Sequence, residues 1–273
     1  MNTESNFNIQ SASLLEFRYA WHKINQSAKS FRPFQYSLEP TVCKKKKRAK
    51  AALYIAISPH RNGQLVRNLI RHNWALKAKA DSIEVIFSMG QIKNESELIQ
   101  ESYTIAQESI KFGDILMANF YDSWENLVQK WWSNNYYHSS QCSHIPFMAS
   151  LDSDTLIFSE YLNKFLHTKN DILDGYVGCT VIVKQPAIRD YESKYFVSKL
   201  QWPEEELPSY CSGAMIIENF QAAGMKMQNV PGIYPWLTDD VCSSTAIAVH
   251  PIKPNRLPSV IQYSEFLQQI NKA

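Results

Sequence analysis

Residues 144–158 read HIPFMASLDSDTLIF, an apolar run that ends in two aspartates and is followed at once by a second apolar run. The first run, Ile145 to Leu151, has the length and composition of a strand buried on both faces, which is typical of a parallel sheet. Because side chains alternate along a strand, Asp152 and Asp154 share one face, with their Cα atoms about 6–7 Å apart. The stretch therefore predicts a sheet edge that carries two acids.

The pair of aspartates has two interpretations. Two carboxylates this close repel each other unless a cation lies between or beside them. An Asp-x-Asp pair at the carboxyl end of a buried strand is therefore a candidate site for a hard metal ion and a phosphate group. The alternative is a tight turn with two solvated aspartates, and on these two residues alone that alternative is favoured.

The sequence before this stretch predicts an α/β fold. Ala51 to Ser58 is a short apolar run, Gln64 to Lys79 has helical spacing of its apolar residues, and Ser82 to Met89 is a second apolar run. A strand, a helix and a strand in this order form a βαβ unit, hence a parallel pair with a right-handed crossover. We predict further helices at 95–109, from 122 or 123 to 136, at 160–167, 220–228 and 263–270, and further strands at 114–117, 175–184 and 214–218.

The length of 273 residues suffices for one large core or two modest ones. We predict that residues 1–50, which show no clear strand pattern, form a leader or stem, and that residues 51–273 form the folded domain. The basic run Lys44 to Arg48 is interpreted as a solvated face, with a nuclear signal or a membrane patch as alternatives. Residues 185–210, with three prolines, predict a long surface loop, where binding groups concentrate.

Composition narrows the class of protein. Hydrophobic residues make up 45% and charged residues 20% of the chain, which is ordinary for a globular protein. The net charge of +2 provides no general attraction to nucleic acid. No apolar run approaches the ~20 residues that span a bilayer, and no signal peptide is visible, so the chain as written is expected to be soluble.

The cysteines and two glycosylation sequons bear on the compartment. Five cysteines without a Cys-x-x-Cys pair argue against a structural zinc site, and the odd number leaves at least one thiol free or paired to another chain. The sequons at Asn25 and Asn94 hint at the secretory pathway.

Six blocks of this sequence resemble, in the same order, motifs of glycosyltransferase family 31, the β-1,3-galactosyltransferase type. The block RNLIRHNW at 67–74 resembles R-x-x-I-R-x-T-W, and Glu108, GDIL at 113–116 and NFYDSWENLVQK at 119–130 resemble E…D-I-(I/L)…D-F-x-D-x-Y-x-N-L-T-x-K. The remaining blocks are DSD at 152–154, RDYESKYFVS at 189–198, YCSG at 210–213 and DDV at 239–241.

This resemblance implies a fold and an activity. The fold is a single GT-A domain, Rossmann-like, with a mostly parallel central sheet flanked by helices. The activity is an inverting, Mn²⁺-dependent transfer of galactose or N-acetylglucosamine from UDP-galactose or UDP-N-acetylglucosamine to a glycan acceptor, on a glycoprotein or glycolipid, with β-1,3 linkage expected. The family is normally tethered in the Golgi membrane by an N-terminal helix, and no such anchor is visible in this chain.

The resemblance also assigns roles to residues. Asp154 is expected to ligate the metal directly, and Asp152 to bind the metal, a metal-bound water or the ribose. His250, the histidine after the DDV block, is the candidate third ligand, with a surface or packing histidine as the alternative. Arg67 and Arg71 would add positive charge near the nucleotide, with plain surface arginines as the alternative. Asp240 stands where the family has its catalytic base, and Asp239 beside it is the second catalytic candidate. Helix capping is the alternative role for both.

The YCSG block is expected to line the substrate pocket. Tyr210, Cys211, Ser212 and Gly213 would form a turn beside the acceptor or the sugar. Cys211 is a candidate partner of Cys142 in a disulfide, and a buried free thiol is the alternative for each.

The changes at positions 153 and 244, together with the missing anchor, favour a second hypothesis. Ser153 replaces the middle acid of D-D-D, Asp239 replaces Glu, and Ser244 replaces a Gly that usually follows. The alternative function is therefore a catalytically inactive relative that binds a UDP-sugar or a glycan.

Overall fold

The computed structural model describes residues 34–45, 48–93, 95–124, 126–168, 176–219, 226–230, 233–234 and 247–250. The chain divides into two compact units, residues 1–35 and 36–273, of which the second contains nearly all of the described part. Several predicted features lie outside the described residues: the two sequon asparagines, the C-terminal helix at 263–270, and the two acids Asp239 and Asp240.

The described part of the second unit contains six helices and eleven strands. In chain order they are β1 Tyr36–Leu38, α1 Thr41–Lys44, β2 Ala51–Ala56, α2 Arg61–His72, α3 Trp74–Ala80, β3 Ile83–Gln91, α4 Glu95–Phe112, β4 Ile115–Tyr121, α5 Leu127–Gln141, β5 Phe147–Asp152, β6 Leu156–Ile157, α6 Ser159–Thr168, β7 Tyr176–Ile182, β8 Tyr210–Asn219, β9 Lys226–Asn229, β10 Ile233–Tyr234 and β11 Ala248–Val249.

Eight strands form the central sheet, in the order β1-β4-β3-β2-β5-β8-β7-β9. Its middle strands β4, β3, β2 and β5 are all parallel, and β8 then adds antiparallel to β5. The predicted βαβ unit is present, since β2 and β3 pair in parallel from Ala51 opposite Ile83 onward. The predicted α/β class, with a mostly parallel central sheet flanked by helices, is confirmed.

Strand β2 shows why the sheet is buried on both faces. Leu53 and Ile55 belong to one hydrophobic cluster, which also contains buried residues of α2, α3, α4 and α6. Ala52 and Tyr54, which alternate with them, belong to a second cluster that includes Tyr137 of α5. Alternation along the strand thus divides its side chains between two helical layers, as expected for a continuous apolar run without a polar face.

Some element boundaries differ from the predictions. The single helix predicted over 64–79 is two helices, because the backbone at Asn73 leaves the helical region with φ −115° and ψ −114°. The helix predicted from Asp122 begins at Leu127 instead, since the Asp122 carboxylate accepts a hydrogen bond from the Gly90 backbone N–H and is not used as a cap.

Three predictions of element type were wrong. A strand, β1, lies within the first 50 residues and pairs antiparallel with β4, where no strand was expected. Residues 226–229 form strand β9, parallel to β7, although 220–228 was predicted to be helical. The YCSG block at 210–213 begins strand β8 and is not a turn. In each case hydrogen bonding to a neighbouring strand determined the conformation, and the local sequence pattern did not predict it.

Two disulfides cross-link distant parts of the fold. Cys43 pairs with Cys142 over a sequence separation of 99, and Cys179 pairs with Cys211 over a separation of 32. The predicted Cys142–Cys211 pair was therefore wrong, as was the alternative of free thiols. In the part of the chain that the structure describes, no helix combines the length and the hydropathy needed to cross a membrane.

Candidate metal site at the carboxyl edge of the sheet

Asp152 and Asp154 lie at the carboxyl end of β5, in the middle of the sheet. Asp152 is the last residue of β5 and pairs with Ala56, the last residue of β2. A hydrogen bond of 3.2 Å from the Thr155 N–H to the Asp152 carbonyl closes the turn that carries Asp154. The Thr155 hydroxyl donates to the Ala214 carbonyl at 2.9 Å, which fixes this turn to β8. The two acids are thus held on a rigid part of the fold.

His250 reaches the two acids through a second, small sheet. This sheet has the order β10-β11-β6, and its strand β11 pairs antiparallel with β6, with Val249 opposite Leu156. Because β6 follows the aspartates directly and His250 follows β11 directly, the pairing brings the imidazole to the carboxylates. The Nε2 atom of His250 lies 3.1 Å from Asp154 Oδ1 and 3.5 Å from Asp152 Oδ2.

These three side chains form a group that can hold a metal ion. One ligand atom from each lies within 4.8 Å of the others. Their side chains are 43%, 39% and 22% exposed for Asp152, Asp154 and His250, so an ion and its substrate can reach them. Two carboxylates and one imidazole are ligands that a divalent ion such as Mn²⁺ accepts. The donor set therefore fits the predicted metal, and the structure brings together the three residues predicted to ligate it.

Burial and several neighbouring charges affect the pKa of Asp152. Partial burial raises the pKa of Asp152 above its ordinary value, because it disfavours the charged form. His250 opposes this effect, Asp154 adds repulsion, and the charges of Lys130 and Lys194 again favour the carboxylate. The repulsion between the two neighbouring carboxylates favours a cation bound beside them.

Gly213 of β8 lies directly against Asp152. A Cβ atom added at this position would lie 3.1 Å from Asp152 Oδ2, tighter than an ordinary contact. Of the YCSG block that was predicted to line the pocket, Gly213 is thus placed at the site. Cys211 is instead bonded to Cys179, and Tyr210 is 40% exposed at the start of the strand.

Lys130 lies near the site, although sequence reasoning assigned it no role there. It is only 3% exposed, although it lies on helix α5 and carries a charge. Its ammonium group donates to the Ile57 carbonyl at 3.2 Å and pairs with Asp122 at 2.9 Å, and its charge acts on Asp152. The one feature of the sequence that could have indicated this role is that Lys130 is the last residue of the NFYDSWENLVQK block.

Arg67 and Arg71 lie in a buried ion network. Both guanidinium groups bond to Glu108 of α4, Arg67 at 2.6 and 2.8 Å and Arg71 at 2.6 Å. Arg71 also makes two 2.7 Å bonds to Asp114, and Arg67 donates to the Ser58 carbonyl at 2.9 Å. The side chains are 1% and 8% exposed, so they are not plain surface arginines. Their predicted role beside a nucleotide stays a prediction.

Comparison with known proteins adds the family. A family model described as galactosyltransferase matches residues 66–251 of the 273, which include the blocks of α2 and α5, the two aspartates and His250. The chain belongs to the galactosyltransferase family. The predicted resemblance to family 31 is thereby confirmed.

Individual members of this galactosyltransferase family align over part of their length. A β-1,3-galactosyltransferase 5 of Pan paniscus is 28% identical over 63% of this chain and 56% of its own length. An N-acetyllactosaminide β-1,3-N-acetylglucosaminyltransferase 3 of Homo sapiens is 25% identical over 74% of this chain and 55% of its own. The chain thus spans about half the length of the curated relatives that it matches.

Among solved structures, a 4-diphosphocytidyl-2C-methyl-D-erythritol synthase from Anaerococcus prevotii aligns with this galactosyltransferase-family chain. It is 11% identical and covers 81% of this chain and 99% of its own, at a TM-score of 0.36. The family assignment is independent of this distant likeness.

Proposed function

We propose that this chain is an inverting, metal-dependent hexosyltransferase. It moves galactose or N-acetylglucosamine from a UDP-sugar to a glycan acceptor, in β-1,3 linkage. Membership of the galactosyltransferase family supports the reaction class. The two relatives are a β-1,3-galactosyltransferase and a β-1,3-N-acetylglucosaminyltransferase, which supports the two donor sugars and the linkage.

The observation that carries this proposal is the group formed by Asp152, Asp154 and His250. It lies at the carboxyl edge of parallel strands, where α/β proteins bind nucleotides, and its ligand atoms lie within 4.8 Å of one another. When bound, Mn²⁺ would supply Lewis-acid stabilisation of the negative charge that develops on the departing diphosphate. The two carboxylates and the imidazole would hold it there.

The remaining chemistry belongs to side chains of this chain. Inversion requires attack by an acceptor hydroxyl from the face opposite the leaving group, and a base on that side to accept the proton. We assign this base to Asp240, with Asp239 as its neighbour, from their place in the family pattern. The buried Lys130 would contribute positive charge beside Asp152 and keep the ends of β2 and β4 together.

Transfer is tested with purified protein, Mn²⁺ and UDP-galactose or UDP-N-acetylglucosamine, with β-galactoside and N-acetylglucosaminide acceptors and product detection by mass spectrometry. We expect a β-1,3-linked product from one donor. Asp240→Asn should lower turnover by at least about 100-fold, the scale of a lost general base, and leave UDP binding unchanged. Asp239→Asn, its neighbour, serves as the matched control and should retain most of the activity.

The second candidate is a relative without catalysis that binds a UDP-sugar or a glycan. The observation in its favour is the sequence departure at Ser153, Asp239 and Ser244 from the family pattern. A folded wild-type protein that binds UDP with Mn²⁺ and transfers no sugar from either donor would contradict the enzyme and support this candidate.

The family also suggests where the reaction takes place. We propose the Golgi as the compartment and glycoproteins or glycolipids as acceptors, which is how family 31 enzymes are organised. The two disulfides support an oxidising compartment of the secretory pathway. Microscopy of the full-length protein with a Golgi marker tests this assignment.

A further inference from the structure

Three exposed side chains form a corner beside the sheet edge, which we call the aromatic corner: Trp124, Lys194 and Tyr195. The two rings meet edge to face with 5.7 Å between their centroids. The Lys194 ammonium lies 4.4 Å from the centre of the Trp124 ring and 4.8 Å from that of the Tyr195 ring. Cation–π attraction thus holds the ammonium in place.

The rings of the aromatic corner are both accessible to a ligand. Trp124 is 48% and Tyr195 is 54% exposed. They are large, stiff groups that lose little entropy when a ligand covers them, which is why Trp and Tyr recur at binding surfaces. Together with Lys194 they offer apolar ring faces next to an ammonium group that donates hydrogen bonds. A pyranose ring has the matching surface, because it carries both C–H groups and hydroxyl groups.

The segment that carries Lys194 and Tyr195 is fixed in shape. Residues 183–209 have little regular structure, yet the Arg189 guanidinium donates to the carbonyls of Val197, Trp202 and Glu204 at 2.5 to 2.9 Å. The Val197 N–H donates back to the Ile188 carbonyl at 2.9 Å. Because these bonds hold the loop before any ligand binds, less ordering entropy is lost on binding.

The aromatic corner lies close to the metal site. Trp124 follows Asp122 by two residues, and the Asp122 carboxylate pairs at 2.9 Å with the ammonium group of Lys130. The same ammonium donates at 3.2 Å to the carbonyl of Ile57, the residue after Ala56, and Ala56 pairs with Asp152 in the sheet. The aromatic corner and the metal site therefore lie at the same edge of the sheet, so a sugar on the corner would be on the donor's side of the molecule.

We propose that the aromatic corner binds the sugar ring of the acceptor, with the ring faces of Trp124 and Tyr195 against its C–H groups and Lys194 donating to its hydroxyl groups. This inference rests on the proposed function, since it names where the acceptor of that transfer binds. The two rings stand 74° apart, so they form an open corner for a non-planar sugar, whereas the flat uracil of the donor would fit a parallel slot.

The experiment measures glycan binding apart from donor binding. Methyl β-galactoside and methyl β-N-acetylglucosaminide are titrated by saturation-transfer NMR into the full chain with saturating UDP and Mn²⁺, and UDP affinity is measured separately by calorimetry. Trp124→Ala should weaken binding of the preferred glycoside about tenfold, the loss of one good aromatic contact. Trp124→Tyr should restore most of the affinity, because it keeps a ring, and UDP affinity should not change in either variant.

Tyr103→Ala on α4 is the matched control, because Tyr103 is 63% exposed and lies outside the aromatic corner. Wild-type glycoside affinity in Trp124→Ala and Lys194→Met, or no glycoside binding by the wild-type protein, would overturn the inference. A loss of UDP affinity equal to the loss of glycoside affinity would overturn it too, since the corner would then serve the donor. Absence of transfer with intact glycoside binding would contradict the proposed function alone.

Discussion

At the scale of single residues, the absence of a side chain at Gly213 makes room for the Asp152 carboxylate. A side chain at 213 must push the Asp152 carboxylate, because even a Cβ atom would lie 3.1 Å from Oδ2. We predict that Gly213→Val lowers the Mn²⁺-dependent affinity for UDP about tenfold, the lower end of the effect of groups that orient metal ligands. Calorimetry checks this, with Ser212→Ala as the neighbouring control. Equal affinity in Gly213→Val and wild type would show that the carboxylate position does not matter.

Part of this site is predictable from the sequence for clear reasons. Asp152 and Asp154 end an apolar run, which is enough to predict two acids at a sheet edge. Strand alternation does not extend to Asp154, because β5 ends at Asp152 and a turn carries Asp154. His250 was proposed because it follows the DDV block, and the structure places it 3.1 Å from Asp154. The burial of Lys130 was not predictable, because it depends on the Ile57 carbonyl and Asp122 meeting across the sheet.

At the scale of elements, Glu108 connects helix α4 to helix α2. Its two oxygens accept hydrogen bonds from Arg67 and Arg71, and the Arg67–Glu108 pair is almost completely buried. Burial alone would raise the pKa of Glu108, yet the two guanidinium groups hold it below its ordinary value. The buried negative charge of Glu108 is therefore neutralised by the two arginines.

We predict that Glu108→Ala lowers the free energy of unfolding by about 3–5 kcal/mol, because it leaves buried guanidinium charge without its carboxylate. Denaturant unfolding followed by circular dichroism measures the change. Glu205→Ala removes an ion pair with Lys199 whose two side chains are 76% and 68% exposed, and should leave stability unchanged. Equal effects of the two substitutions would contradict the role of the buried network.

Local pattern predicted most elements but not their partners. Arg67 and Arg71 are one turn apart, so sequence put them on one helix face, yet Glu108 is 41 residues from Arg67. The disulfide between Cys142 and Cys211 was wrongly predicted for the same reason. Cys211 is held next to Cys179 by the pairing of β7 with β8, and Cys43 comes next to Cys142 over 99 residues. Such pairings depend on the order of strands, which spacing along the chain does not give.

At the scale of the whole molecule, His138 makes stability depend on pH. It is fully buried in α5, where its Nε2–H donates to the Ile145 carbonyl at 2.9 Å, and its Nδ1 therefore accepts from the Tyr54 hydroxyl at 3.1 Å. Burial lowers the pKa of His138 to about 4 from an ordinary 6.5. Between these values the unfolded chain binds a proton that the folded protein excludes.

We predict that this histidine lowers the free energy of unfolding as the pH falls from about 6.5 to about 4, by roughly 3 kcal/mol in total. The measurement compares unfolding of wild type and His138→Gln across this range. Burial raises the pKa of Glu218 to about 7, which acts in the opposite direction, but it is common to both proteins and cancels in the difference. A stability difference that is constant with pH would contradict the neutral, buried histidine.

The fold of the whole molecule was more predictable than its edges. The parallel core β4-β3-β2-β5 follows from apolar runs that alternate with helical patterns, as in Ala51 to Met89. Strand β1 and strand β9 were missed, because each is short and is defined by its neighbour in the sheet.

The proposed activity depends on a divalent ion held by Asp152, Asp154 and His250. Its most direct test is calorimetric titration of UDP into the full chain with and without Mn²⁺, for wild type and Asp154→Ala, with Asp190→Ala as a control from the loop at 183–209. We predict that wild type and the control bind UDP only when Mn²⁺ is present, and that Asp154→Ala does not bind it. UDP affinity that is the same without Mn²⁺, or the same in Asp154→Ala, would contradict a metal-held diphosphate.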